Sequence, residues 1–216
     1  QGILSIGAVK ALQHAFPKLL VHDLRHAPPH VDIPSSNTNE AIGLIYTTSG
    51  TTSKPKFVAH TKQGLLKHGE HVAQHFKITQ QRVVLLTAPL CGAFGFSAAL
   101  GALHAGATLI APASFNAEET AALIKDWQVT HTFANNEVIA QLLEKGTKQQ
   151  NPPFPSLKCV GFASFAPSLG NLPIRAEQAG IRLIGLYGSS ELQALCAAQN
   201  PNQADNIRLK AGGELV

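Results

Sequence analysis

Between Arg82 and Gly188, short apolar runs alternate with stretches of helical length, and this alternation most constrains the fold. The runs RVVLLTA (82–88), ATLIAP (107–112), VTHTFA (129–134), LKCVGFAS (157–164) and IRLIGLYG (181–188) read as strands. They are apolar on both faces, which a strand with one wet face cannot be. Between them lie helix-like segments at 92–106, 116–128 and 136–146, and one with an interrupted middle at 167–180. Asn116, with Glu119 three residues on, has capping-box spacing, and Gly146 is placed to end the third segment. Buried strands alternating with helices predict an α/β fold, a largely parallel sheet with helices on both faces. A further helix is expected from SSELQALCAAQ (189–199).

Upstream, GAVKALQHAF reads as a short helix and KLLVHDL as a strand, followed by the Pro/Ser/Asn-rich boundary APPHVDIPSSNTNE. Residues 1–40 are therefore expected to close a preceding subdomain and linker, and 41–216 to form the main unit. The absence of an initiator Met at Gln1 and the abrupt ending GGELV lead us to expect an excerpt of a longer chain.

The stretch LIYTTSGTTSKPKFVAHT (44–61) carries the chemistry. A strand-like run opens into small and hydroxylated residues, then Lys54, Pro55 and Lys56, then a second strand-like run from Phe57 to Thr61. Backbone N–H groups, hydroxyls and a lysine on a tight loop suit phosphate; the plain alternative is a Ser/Thr-rich surface turn. It is not a Walker loop. Pro55 stands where that motif has its second Gly, Phe57 follows the lysine, and a strand follows instead of a helix N-terminus.

YTTSGTTSKPK resembles the phosphate-binding signature of the adenylate-forming superfamily, which contains acyl-CoA and aryl-CoA synthetases, luciferases and the adenylation domains of peptide synthetases. The usual form is Y-[ST]-S-G-[ST]-T-G-x-P-K-G. Ser49, Gly50, Thr51, Thr52, Pro55 and Lys56 match it, whereas Ser53 and Phe57 replace glycines. APLCGAFGFSAALGALHAGATLIAP resembles the next conserved-order segment, with Gly92 where a histidine is usual. FNAEETAALIKDWQVT resembles the segment leading to the acyl-pocket helix, and LIGLYGSSEL carries Y-G-x-[ST]-E as Tyr187, Gly188, Ser190 and Glu191. The resemblance covers residues 40–216.

It implies a two-step reaction. A carboxylate attacks the α-phosphate of ATP and releases pyrophosphate, and a thiol, commonly that of coenzyme A, then displaces AMP. Ser49, Thr51, Thr52 and Lys56 would hold the β- and γ-phosphates, with Gly50 allowing close approach. Ser190 would reach the α-phosphate, and Glu191 would ligate Mg²⁺; taken alone, Glu191 reads as a solvated carboxylate at a helix start. Tyr187 would pack on the adenine with Ala163, Ser164 and Phe165, while Thr48, Leu186, Gly188 and Ser189 complete the nucleotide-facing set. The implied catalytic residues are Lys56, Ser190 and Glu191.

For the acid, the implied pocket is Cys91, Ala93, Phe94, Gly95, Phe133, Gly185 and Leu186. Amino-acid-activating relatives usually place an aspartate near Ala93, but no acidic residue lies between Arg82 and Glu118. An unpaired buried ammonium is costly, so an apolar fatty or aromatic acid is expected. The competing reading is a non-catalytic nucleotide-binding module derived from such an enzyme, with Ser53, Phe57 and Gly92 as its signs.

Other classes fit less well. His68, His71 and His75 share a face of the helix-like segment 62–76, with Glu70 nearby, and could bind a transition metal. With no H-E-x-x-H pattern, a solvated His-rich face is the expectation. A net charge of +4 from scattered Lys and Arg argues against a nucleic-acid partner. No apolar stretch approaches the roughly 20 residues of a membrane span. Cys91, Cys159 and Cys196, far apart and odd in number, read as reduced thiols in the cytoplasm. A homodimer is left open.

Overall fold

In the computed structural model, which describes residues 41–48, 56–147, 152–163 and 170–216, five strands form a parallel sheet. They are β3 (Val83–Leu86), β4 (Thr108–Ile110), β5 (His131–Asn135), β6 (Cys159–Ala163) and β7 (Leu183–Tyr187). Two short strands, β8 (Ala197–Ala198) and β9 (Glu214–Leu215), continue the sheet antiparallel beyond β7. The order across the sheet is β4-β3-β5-β6-β7-β8-β9. A separate antiparallel hairpin pairs β1 (Ile42–Thr48) with β2 (Lys56–Thr61).

Strand alternation distributes apolar side chains to two cores. Val84, Leu86, Phe133, Cys159, Ile184 and Leu186 face α1 (Lys62–His75) and α2 (Ala93–His104). Leu85, Ala134, Val160, Phe162 and Leu183 face α3 (Ala117–Asp126), α4 (Asn136–Thr147) and α5 (Leu172–Gln178). Helices cover both faces, as the two-sided apolar runs require.

Local signals explain several helix boundaries. Asn116 Oδ1 accepts from the backbone N–H groups of Glu118 and Glu119, both at 3.0 Å, and starts α3. Pro173 in the first turn starts α5 within the interrupted segment. Gly146 is the last residue but one of α4, within a residue of the expected end, and a Cβ there would come within 2.6 Å of Pro153 Cβ, so the position also serves close packing. One expectation is corrected. The helix expected at 189–199 is a single 3-10 turn, Ser190–Leu192, followed by β8. Gln193 (φ 57°) and Ala194 (φ 64°) are both left-handed, which ends any right-handed helix there.

The topology also fixes where a ligand can sit. From β3 the chain runs outward through α2 to β4, then returns through α3 to β5 on the other side of β3. Crevices outside the carboxyl ends of strands at such a reversal are the ligand-binding edge of open α/β sheets. The segment after β3 (88–95), Ala163 and the Tyr187–Glu191 turn all lie at that edge. The expected elements within residues 1–40 lie outside the described residues.

Candidate active site

Thr48 and Lys56 are paired in register across the β1–β2 hairpin, so they mark the two sides from which its tip springs. Ser49, Gly50, Thr51 and Thr52 of that tip lie outside the described residues, as do Ser164 and Phe165. Lys56 is exposed at the start of β2. The hairpin packs against the 3-10 turn that follows β7, and His60 Nε2 lies 2.8 Å from the Ser190 carbonyl.

That turn is built tightly. A Cβ at Gly188 would overlap the Ala194 carbonyl, because the chain doubles straight back over it. Ala194 N–H donates to Ser189 O (2.7 Å), Ser97 Oγ donates to Gln193 O, and Gln193 Nε2 donates to Gly64 O (3.4 Å). Cys196 Sγ donates to Tyr187 O. The turn leaves the Glu191 carboxylate in solvent. Its pKa is held below the usual carboxylate range by a hydrogen bond to its own backbone N–H, then by the Ser189 hydroxyl, with the charges of Lys56 and His60 adding to the effect. An ionised, exposed carboxylate is an oxygen donor of the kind a hard divalent cation takes alongside phosphate oxygens, and a lysine is a charge partner for those oxygens. Glu191 therefore fits Mg²⁺, and Lys56 fits the phosphates.

Residues of the implied nucleotide face are dispersed along the same edge. Tyr187 is 57% exposed at the end of β7, open to stacking, while Leu186 before it is buried. Ala163 ends β6, half-buried. Among the implied pocket residues, Cys91 is exposed, and Ala93 and Phe94 are half-buried at the start of α2. Gly95 packs so closely on the Ala88–Pro89 carbonyls that no side chain fits. Phe133 is 1% exposed, edge-on to Phe76 at 4.9 Å, and sits in the core beneath the site. Gly185 abuts the backbone of Arg208–Lys210. That segment is anchored by Arg208, which donates to both carboxylate oxygens of Glu177 at 2.8 Å, to Asp205 and to the Leu183 carbonyl.

The histidine face of α1 is not solvated. His68 is buried, His75 Nε2 lies 3.2 Å from the Gln199 carbonyl, and only His71 is exposed. The apolar stripe through Leu65, Val72 and Ala73 explains this, since His68 falls within it. Among the described residues, no group of three or more His, Cys, Asp or Glu is placed to hold a metal ion. No helix among them is long and apolar enough to cross a membrane. Sequence reading missed His60, Ser97 and Gln193. The available signal was alternation, which sets His60 on the same face of β2 as Lys56.

A family model for AMP-binding enzymes matches residues 6–213. The chain belongs to this family. It is 25% identical over 208 residues to the 2-succinylbenzoate–CoA ligase of Bacillus licheniformis, covering 89% of this chain and 42% of the ligase. It is 32% identical over 197 residues to CymA of Salinispora arenicola, described as a probable nonribosomal peptide synthetase, covering 88% of this chain and 2% of that protein. The O-succinylbenzoate coenzyme A synthetase of Bacillus subtilis, solved with ATP and magnesium ion, superposes with a TM-score of 0.72 at 24% identity. That match covers 83% of this chain and 36% of that one. The chain thus shares the adenylate-forming fold and spans less than half the length of these relatives.

Proposed function

We propose that residues 41–216 are the ATP- and acyl-binding part of an enzyme that activates an apolar carboxylic acid, fatty or aromatic, with ATP and passes it to a thiol, that of coenzyme A. The observation that carries this reading is the packing of β2, which begins at Lys56, against the 3-10 turn that carries Glu191, through the His60 Nε2–Ser190 carbonyl contact at the carboxyl edge of the sheet. No general base is needed, because the attacking carboxylate is already ionised at neutral pH; catalysis is then positioning and charge neutralisation.

In this reading Lys56, Thr48 and the hairpin tip (Ser49, Gly50, Thr51, Thr52) hold the triphosphate. Ser190 faces the α-phosphate, and Tyr187 with Ala163, Ser164 and Phe165 takes the adenine, bordered by Leu186, Gly188 and Ser189. Mg²⁺ held by Glu191 supplies neutralisation of the phosphate charge. The lack of any acidic residue between Arg82 and Glu118 supports an apolar acid over an amino acid, with Cys91, Ala93, Phe94 and Gly95 on its side. The ligase relative, named for an aromatic acid and coenzyme A, supports the thiol step. Three free, dispersed cysteines support a reducing, cytoplasmic setting.

Binding of non-hydrolysable acyl-sulfamoyl adenosines tests the reading. Aryl and alkyl forms are expected to bind more tightly than aminoacyl forms. Preference for an aminoacyl form would overturn the substrate class.

A further inference from the structure

The turn that carries Ser190 and Glu191 is held in a conformation its own sequence disfavours. Two consecutive residues with side chains, Gln193 and Ala194, adopt left-handed φ, which surrounding structure has to enforce. Three elements enforce it: α2 through Ser97, the start of α1 through the Gly64 carbonyl, and β2 through His60. Of these, β2 also carries the lysine of the proposed phosphate site, Lys56.

We propose that His60 is a positioning residue, its Nε2–H holding the Ser190 carbonyl so that Ser190 and Glu191 keep a fixed place relative to Lys56. A carbonyl oxygen can only accept, so Nε2 carries the proton in this contact. The Ser190 carbonyl also takes the Gln193 N–H at 3.3 Å, which makes it the node joining the hairpin to the left-handed pair. The imidazole is itself oriented. Tyr46 of β1 stands edge-on to it at 5.6 Å, and Tyr46 is in turn edge-on to Phe96 of α2 at 6.4 Å. Lys56 and His60, four residues apart on one strand, line the same face. The bond therefore transmits the position of the lysine strand to the carboxylate turn. This assignment of role rests on the proposed ATP site; the clamp itself rests on geometry alone.

The test compares the intact chain with His60→Leu, which keeps bulk but cannot donate, and His60→Gln, whose amide can. Three readouts are needed: amide hydrogen exchange at Gln193, Ala194 and Leu195, the side-chain ¹⁵N signals of His60, and MgATP affinity by calorimetry. The expected result is a protonated Nε2 in the parent chain and exchange about five- to tenfold faster at Ala194 in His60→Leu, the scale of one lost hydrogen bond. MgATP affinity falls in the same variant, and His60→Gln recovers part of both effects. Unchanged exchange in His60→Leu, or an unprotonated Nε2, overturns the clamp whatever happens to MgATP. Faster exchange with MgATP affinity equal in all three proteins overturns the positioning role. Faster exchange in a chain that binds no MgATP at all overturns the proposed ATP site and leaves the clamp in place.

Discussion

Acidification offers a sharp test of how the central sheet is packed. His131, on β5, is 3% exposed; its Nε2–H donates to the Phe76 carbonyl at 3.0 Å, and Nδ1 lies 2.8 Å from Thr130 Oγ1. Burial pushes its pKa from the ordinary 6.5 down to about 4, outweighing the Phe76 hydrogen bond that opposes the shift. The folded chain thus keeps His131 neutral where the unfolded chain protonates it. Stability from this residue is complete above the unfolded value and falls with pH through the window between the two values. Between pH 7 and pH 5 the unfolded state gains about 2 kcal/mol of proton binding that the folded state does not match. For a chain of this size that is a loss of about 4–8 °C in Tm. Urea unfolding at pH 7, 6 and 5 measures it, comparing the parent chain with His131→Gln, which retains a donor for Phe76 but does not titrate. The variant is expected to be less stable at pH 7 and to lose about 2 kcal/mol less on going to pH 5. Equal pH slopes in the two proteins would refute the reasoning. His68, also pushed down to about 4 by burial, contributes equally to both and cancels in the comparison.

Other substitutions probe the elements that frame the site. Glu177→Ala leaves the buried Arg208 guanidinium without its bidentate partner and is expected to cost about 3–5 kcal/mol by urea unfolding; a loss below 1 kcal/mol would contradict a buried pair. Asn116→Ala removes the cap of α3 and is expected to cost about 1 kcal/mol, while Asn116→Asp, still able to cap, costs little. Gly185→Ala drives a methyl into the Lys210 carbonyl and is expected to destabilise by about 1–3 kcal/mol. Gly92→Ala, with extended backbone and nothing closer than 3.5 Å to the new carbon, stays within about 0.5 kcal/mol of the parent. Equal losses from these two would show that the Arg208–Lys210 segment does not lie against β7.

The parallel sheet was legible because fully buried strands cannot hide their composition: VVLL and LIGLY are apolar at every or nearly every position. The caps were legible for a local reason, since Asn116 and Glu119 act within one helical turn. What escaped was set by distant contacts. Nothing near Gly146 announces that Pro153 and Phe154 close over α4, and SSELQALCAAQ has good helical composition that the left-handed Gln193–Ala194 pair overrides. His68 was misplaced because its α1 neighbours, not its own chemistry, decide which face is buried. At the proposed site, the motifs pointed to Lys56, Tyr187, Ser190 and Glu191, and the fold brings the elements that carry them to one edge. Alternation could place His60 on the Lys56 face of β2, but its partner was invisible in the sequence, because the Ser190 carbonyl lies 130 positions away.

The central claim is that Lys56 and Glu191 belong to one MgATP site. Calorimetry of MgATP with the parent chain, Lys56→Ala and Glu191→Ala tests it most directly. The account predicts binding by the parent chain and a loss of about tenfold or more in each variant, the scale of one charge-assisted contact. Glu191→Ala should weaken MgATP more than metal-free ATP. No binding by the parent chain, or binding that neither substitution changes, would contradict it.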